Sequence, residues 1–421
     1  MSVRRRGFKE YTRLEDALEI IRSEVNEIGS EKISYQESNG RVLAENVKSK
    51  VSVPPFDRAA MDGFALKAED VFGVDENNPK ELKIIGSIET GVSKDIEVGK
   101  GEAVEISTGA PMPSGANAVV KVEDTIREDS RVNILSPVSP GENVSSKGED
   151  VEEGQVVMEA GHKIGPAGVG MLANTKNLEV KVKKKPKVGI AATGDELKKP
   201  EEELKPGEVV EVNSYTLTAA VHETRGEPIR LEMVPDKKES LRKTLEKAPD
   251  FDMLIFSGGT SVGKKDLVPE IISNLGELLF HGIAIRPGGP SAFGMYENVP
   301  VFSLAGFPAA ALIAFEMIVK PALDIIQGKE DYSERPSVEA ILDRGINSKL
   351  GRIDIVRTKL IKKEESYTAH PVRVTGSSIL RTITEADGFV LVPEESEGFS
   401  KGEQVKVELF NRSIQISKQE V

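Results

Sequence analysis

The 421-residue sequence contains no cysteine and no tryptophan, four histidines, and only 5% aromatic residues. The missing cysteine removes disulfides, thiolate zinc sites, iron–sulfur clusters and cysteine nucleophiles together. Any bound metal must then be held by oxygen or histidine. His162, His222, His281 and His370 are scattered without ligand spacing, so Mg²⁺ on carboxylates is expected in preference to zinc. A basic surplus is also missing. The net charge is −13 with 30% charged residues, which argues against a bulk nucleic-acid or acidic-membrane surface, and an anionic substrate would need a local positive site. Long apolar runs are absent too: the longest, Val301 to Val319, is broken by Gly306, Pro308 and Glu316 and reads as a buried strand and helix. Met1 to Gly7 carries arginines with no apolar segment behind them, so a soluble cytoplasmic protein without a secretory signal is expected.

What the sequence does have is punctuation. Phe251 to Asp266, FDMLIFSGGTSVGKKD, reads as a buried strand that empties into a turn of glycines and hydroxyls and then meets an aspartate. Gly258, Gly259 and Gly263 let the backbone curl around an anion, with N–H groups and the hydroxyls of Ser257, Thr260 and Ser261 as donors, while Asp266 is suited to a divalent cation beside it. Two familiar patterns cross the same residues. Gly258 to Lys264 has P-loop spacing, but Lys265 stands where a magnesium-binding hydroxyl is needed; Gly259 to Gly263 is formally GxSxG, but neither His281 nor His370 sits in a triad context. A plain strand-to-helix glycine turn without a ligand stays open on this stretch alone.

A chain of this length should hold about two to four domains. Thr12 to Ile28 is an amphipathic helix, with Thr12 and Glu15 as a capping box and an apolar stripe for core packing or a dimer contact. Val47 to Gly148 reads as a compact β-rich module of short strands, Leu82 to Ile88, Ala103 to Ile106, Ala118 to Val122 and Val132 to Leu135. Inside it, Val53 to Ala65 and Ile106 to Pro111 are expected to be stiff loops that present Asp62 and Thr108, or else simple turn chemistry. Gly165 to Asn174 is a short helix, and the lysines of 181–187 form a solvated hinge.

From Lys187 to Gln327 strands (Val188 to Ala192, Ile229 to Val234, Phe251 to Phe256, Val301 to Leu304) alternate with helices (Ser214 to Thr224, Lys237 to Lys247, Leu267 to Leu275, Pro308 to Ile326), which predicts a doubly wound parallel sheet. Ligands of such sheets lie beyond the carboxyl ends of the strands. Thr193-Gly194-Asp195-Glu196, Asp236 and Ser257 to Asp266 each follow a strand, so Glu196, Asp236 and Asp266 should face one edge and could recruit Mg²⁺. The loop Arg286-Pro287-Gly288-Gly289-Pro290 carries one cation, and Gly306-Phe307-Pro308 opens the last helix toward the same edge. Beyond Glu334 the pattern is β again, a small barrel or sandwich with Arg352, Arg357, Ser377 and Ser378 as contributors.

Taken together, Pro54-Pro55-Phe56-Asp57 with Ala60-Met61-Asp62-Gly63, Ser107 to Pro111, Gly141-Glu142-Asn143-Val144 with Gly148-Glu149-Asp150, Thr193 to Leu197, and Ser257 to Gly263 with Asp266 resemble the MoeA/gephyrin family of molybdopterin molybdenumtransferases. The resemblance runs along nearly the whole chain. It implies a multidomain subunit: a discontinuous N-terminal domain (1–46 and 149–182), an inserted β-rich domain (47–148), a MogA-like α/β domain (183–328) and a C-terminal β-barrel (329–421). It also implies a homodimer whose cleft is shared, with the Asp62 and Thr108 loops reaching it from the other subunit.

The implied reaction takes adenylylated molybdopterin, made by a molybdopterin adenylyltransferase, together with molybdate or tungstate, and releases AMP in the presence of Mg²⁺. Asp62, Thr108, Glu196, Asp236 and Asp266 would be catalytic, with Asp236, Asp266 and Glu196 on the metal. Thr193, Gly194, Asp195, Asn213, Ser214, Ser257, Gly258, Gly259, Thr260, Ser261, Gly263, Arg286, Pro287, Gly288, Gly306, Pro308, Arg357 and Ser377 would bind the pterin or the oxyanion. Against the family pattern, Gly289 replaces a second basic residue, Phe307 an asparagine and Ala310 a serine, and no arginine lies near Ser145. A carrier of the same fold that binds molybdopterin without inserting metal is the competing expectation.

Overall fold

A computed structural model describes residues 11–258, 266–329, 335–363, 366–372 and 379–410. The chain separates into two compact units. One takes its described residues from Met1–Gly29 and Lys183–Val421, and the other is Ser30–Val182.

In the second unit, strands β1 (Gly63–Leu66), β2 (Lys80–Ile88), β3 (Glu102–Ile106), β4 (Ala118–Lys121), β5 (Thr125–Glu128) and β6 (Arg131–Ile134) form one sheet in the order β4-β1-β3-β2-β6-β5. The strands expected from the sequence are present, but β1 lies in a stretch expected to be loop. Its residues Gly63-Phe64-Ala65-Leu66 are all buried and paired on both sides, so close packing overrides the loop-like local composition. Gly63 is what allows it: a Cβ there would sit 1.9 Å from the Val120 carbonyl oxygen. In the same unit the helix Pro166–Asn174 buries Leu172 with Leu43, Val47, Met158 and Ile164 in a separate small core.

The first unit is built on strands β7 (Lys187–Thr193), β8 (Glu227–Arg230), β9 (Met253–Gly258), β10 (Glu277–His281), β11 (Ala292–Tyr296) and β12 (Val299–Leu304), in the order β8-β7-β9-β12-β11-β10. The first four of that order are parallel, as near-continuous apolar runs such as Met253-Leu254-Ile255-Phe256 demand when helices cover both faces. The remaining two, β11 and β10, are antiparallel and were not expected from the sequence, so the sheet is mixed at that edge. Phe293 of β11 stacks on Phe302 of β12 with ring centroids 4.7 Å apart, both fully buried.

Helices Asn213–Glu223, Lys238–Leu245 and Leu267–Leu275 fall close to their expected spans. The last one, beginning at Pro308 and ending at Ile326, is continuous but widens into a π turn at Phe315–Val319. Pro321 has no N–H to offer the Met317 carbonyl, and the wider turn absorbs the break.

The first helix, Leu14–Glu24, is shorter than expected and has no capping box. Thr12 instead pairs its backbone with the segment after β10, Thr12 N–H to Gly282 O at 2.9 Å and Ala284 N–H to Thr12 O at 2.7 Å. Long-range pairing displaces the local cap, and the apolar stripe Leu14, Ala17, Ile21 and Val25 is buried in the α/β core.

Strands β13 (Ser337–Leu342), β14 (Ile353–Lys363), β15 (Ser366–Pro371), β16 (Gly388–Val392) and β17 (Gln404–Leu409) close into a five-stranded barrel, since β14 pairs with both β15 and β16. A short strand, Ile285–Arg286, adds in parallel to the outside of β14, with Ile285 opposite Ile353 and Arg286 opposite Asp354.

Substituting Gly63→Ala should destabilise the protein by about 2 kcal/mol, because the methyl has to displace backbone and not a side chain. Denaturant unfolding measures it, and stability equal to the unsubstituted protein would mean that β1 and β4 are spaced differently.

Candidate active site

The site begins where the parallel strands end. At the carboxyl ends of β7 and β9, Thr193 and Gly258 pair directly, and Gly258 (φ 119°) approaches so closely that a Cβ would lie 2.1 Å from the Thr193 carbonyl oxygen. Gly306, after β12, packs beside it: its own Cβ would be 3.4 Å from Gly258 Cα. Three strand ends thus expose backbone where side chains would otherwise stand. Asn213 ties two of them, donating from Nδ2 to Ser257 Oγ at 2.8 Å and to Gly306 O at 2.7 Å, and its Oδ1 is buried with no partner. Ser214 is spent within its own helix terminus, where Glu211 accepts from its N–H at 2.7 Å and its hydroxyl at 2.5 Å. Glu211 is a buried cap that sequence reasoning missed.

Negative charge accumulates next to this backbone. Asp195 Oδ1 accepts from Asp236 N–H at 3.2 Å, and the Glu196 carboxylate folds back over Gly194, where a Cβ would meet its oxygens at 2.9 Å. Burial raises the carboxyl of Asp236 above the ordinary 3.8, the charges of Glu196 and then Asp195 push it the same way, and the Thr193 hydroxyl dipole opposes them. Asp266 is placed differently. It stands at the start of the Leu267–Leu275 helix without capping it, and its Oδ2 lies 3.0 Å from His281 Nε2 while Oδ1 is buried and unpartnered.

The expected trio Glu196, Asp236 and Asp266 therefore does not converge: among the described residues no group of three or more histidine, aspartate or glutamate side chains could hold a metal. One oxygen of Asp266 is committed to His281, and the charges of Glu196 and Asp195 bear on Asp236. The sequence gives no sign of the Asp266–His281 pair, which joins a helix start to an antiparallel strand that was itself not foreseen.

The positive side of the site is also richer than the loop alone suggests. Asp354 on β14, 2% exposed, accepts from Arg352 Nε at 2.9 Å and from Arg286 Nη1 at 3.4 Å. Two guanidiniums thus converge on one buried carboxylate beside the Arg286 loop. Gly289, in place of a second basic residue, is buried, and a Cβ there would sit 3.0 Å from Ile285 O. Gly288 (φ 102°) is packed against the last helix, 3.2 Å from Ala310 O by the same measure. Arg357 is buried within β14. Pro308 opens the last helix and Phe307 before it is 58% exposed. Gly259, Thr260, Ser261, Gly263 and Ser377 lie outside the described residues.

In the other unit, Asp62 and Thr108 meet as a pair. Asp62 Oδ1 accepts from the Thr108 N–H at 2.6 Å and from its hydroxyl at 2.9 Å, and these two bonds, the backbone one first, lower the Asp62 carboxyl below its ordinary value. Asp62 is thus held ionised and exposed.

A glycine-lined edge of a doubly wound sheet, carboxylates on three loops and an arginine loop tied to a barrel suit an anionic ligand with a cation beside it. Residues 12–176 match the MoeA N-terminal region (domain I and II), 189–325 the probable molybdopterin binding domain, and 339–410 the MoeA C-terminal region (domain IV). The chain belongs to the MoeA family. It is 32% identical to the molybdopterin molybdenumtransferase of Haemophilus influenzae, over 91% of this chain and 95% of that protein, and 32% identical to that of Bacillus subtilis, over 90% of each. Its fold is similar to the crystal structure of a molybdopterin biosynthesis MoeA protein from Pyrococcus horikoshii, with a TM-score of 0.85, 38% identity, and coverage of 96% of this chain and 100% of that one.

Because its folded value is raised, Asp236 costs stability that is absent below pH 3.8, grows as the pH rises and is complete above the folded value. Asp236→Asn should therefore melt higher than the unsubstituted protein at pH 7 without added cations, with the gap narrowing toward pH 4. Thermal melts across that range check it, and a gap that widens on acidification would refute the assignment.

Proposed function

We propose that the chain inserts molybdenum, or tungsten, into adenylylated molybdopterin with release of AMP, as a step of molybdenum cofactor biosynthesis. The observation that carries this reading is the carboxyl edge, where Thr193, Gly258 and Gly306 offer close backbone to a phosphorylated pterin, together with the Arg286 and Arg352 pair on Asp354 in the same unit. Catalysis of this kind brings two anions together, so the protein must offset their repulsion. Arg286 and the buried Arg357 would receive the oxyanion, and Thr193, Asn213 and Ser257 would hold the pterin end.

The residues fit Mg²⁺ in two respects: Asp266 Oδ1 is buried without a partner, and Asp236 is pushed up by burial and then by the charges of Glu196 and Asp195, and a divalent cation relieves both. Mg²⁺ commonly takes only one or two carboxylates and completes its shell with water and substrate phosphate oxygens, so the lack of a three-ligand cluster is compatible with it. When bound, the cation supplies positive charge to the pyrophosphate whose P–O–P bond breaks. Asp266 and Asp236 would hold it, while Glu196 and Asp62 orient the reacting oxygens, with Asp62 kept ionised by Thr108.

The reading also includes a cytoplasmic homodimer of four-domain subunits with a shared cleft, into which the partner's Asp62 and Thr108 loop reaches, and substrate received from an adenylyltransferase. No described helix is long and apolar enough to cross a membrane. The carrier alternative is not favoured.

Purified protein incubated with adenylylated molybdopterin, Mg²⁺ and molybdate or tungstate should release AMP, and Asp266→Asn should slow this by about 100-fold or more. Tight pterin binding without AMP release from either oxyanion would leave only the carrier. A monomer in sedimentation would contradict the shared cleft.

A further inference from the structure

The pairing of Asp266 with His281 assigns a job to a histidine that neither composition nor motif had marked. An aspartate at the start of a helix ordinarily turns back to accept from the N–H groups of its own first turn. Asp266 does not: it makes no side-chain cap, it gives Oδ2 to His281 Nε2 at 3.0 Å, and Oδ1 is left buried and unpartnered. An ionised carboxylate can only accept, so Nε2 is the donor in this bond.

The donor is itself held firmly. His281 is the last residue of β10 and pairs with Ala292, and the next residue, Gly282, donates its N–H to Ser291 O at 2.8 Å and accepts from Thr12 N–H at 2.9 Å. Both side chains are largely sheltered, 26% exposed for His281 and 16% for Asp266. A fixed strand end thus grips one oxygen of Asp266 and keeps the other out of the helix cap. We propose that His281 is a positioning residue, which orients Asp266 so that Oδ1 is presented to a divalent cation. This rests on the reading of Asp266 as a cation ligand given above. The choice of imidazole is physically apt: a single N–H donor fixes the rotamer, whereas a lysine or arginine in its place would neutralise the charge that the cation needs.

The experiment reads cation binding and not turnover. Mn²⁺ is titrated into the full-length protein in the presence of AMP and followed by electron paramagnetic resonance, for the unsubstituted chain, Asp266→Asn, His281→Leu, His281→Gln and His281→Asn, with a thermal melt of each. Glutamine carries its amide nitrogen close to where Nε2 stands, and asparagine falls short of it. His281→Leu and His281→Asn should weaken Mn²⁺ by about 10-fold or more, and His281→Gln should stay within about threefold of the unsubstituted protein. If asparagine and glutamine bind Mn²⁺ equally, or leucine binds it as tightly as histidine while Asp266→Asn loses it, His281 only packs and the inference fails while the cation reading stands. If the unsubstituted protein takes up no Mn²⁺, or Asp266→Asn takes it up unchanged, the cation reading fails first. Should His281→Leu not fold, the asparagine and glutamine pair decides the matter alone.

Discussion

The contact on which the site depends is the near collision of two backbones. Gly258 comes so close to the Thr193 carbonyl that no side chain can be accommodated between adjacent parallel strands. With those strands drawn together, Asn213 can span from Ser257 to Gly306, and the loops after β7 and β12 leave from the same edge. A larger residue at 258 would part the strands and scatter these loops, however intact their sequences.

Charge is arranged against this backbone frame in a way that stability alone would not select. Asp195, Glu196 and Asp236 repel one another, and Asp266 leaves its helix uncapped and one oxygen unsatisfied. On the other side, two arginines share one buried carboxylate. On the function proposed above, a cation would relieve the acids and an oxyanion would meet the guanidiniums.

Much of this was legible in the sequence, for identifiable reasons. Apolar runs ended by Thr193 to Glu196 and by Ser257 to Asp266 mark parallel strands whose loops must meet, and the period and turn spacing beyond residue 335 already read as a barrel or sandwich. The illegible parts share a cause, which is long-range pairing. Gly63 to Leu66 looks like a loop until Val120 is seen to need its space, Thr12 caps a helix on paper but pairs with 282–284 in the fold, and β10 and β11 show themselves only through their antiparallel pairing. His281 was invisible as a site residue because its partner is reached only through that unforeseen strand. The replacement at Gly289 is a different case. Read alone it removes a cation, but the position is buried against the Ile285 carbonyl, and Arg352 brings a second guanidinium to the same carboxylate that Arg286 holds.

The short strand Ile285–Arg286 lies along β14, with Arg286 opposite the aspartate that binds its side chain. The arginine of the α/β domain's own loop is therefore fastened, by backbone and by side chain, to the barrel that follows it. The barrel is not an appendage that could be trimmed from a self-sufficient pterin-binding core. It is the mount on which Arg286 is carried, so removing the barrel would take away both the strand pairing and the carboxylate that hold this side chain.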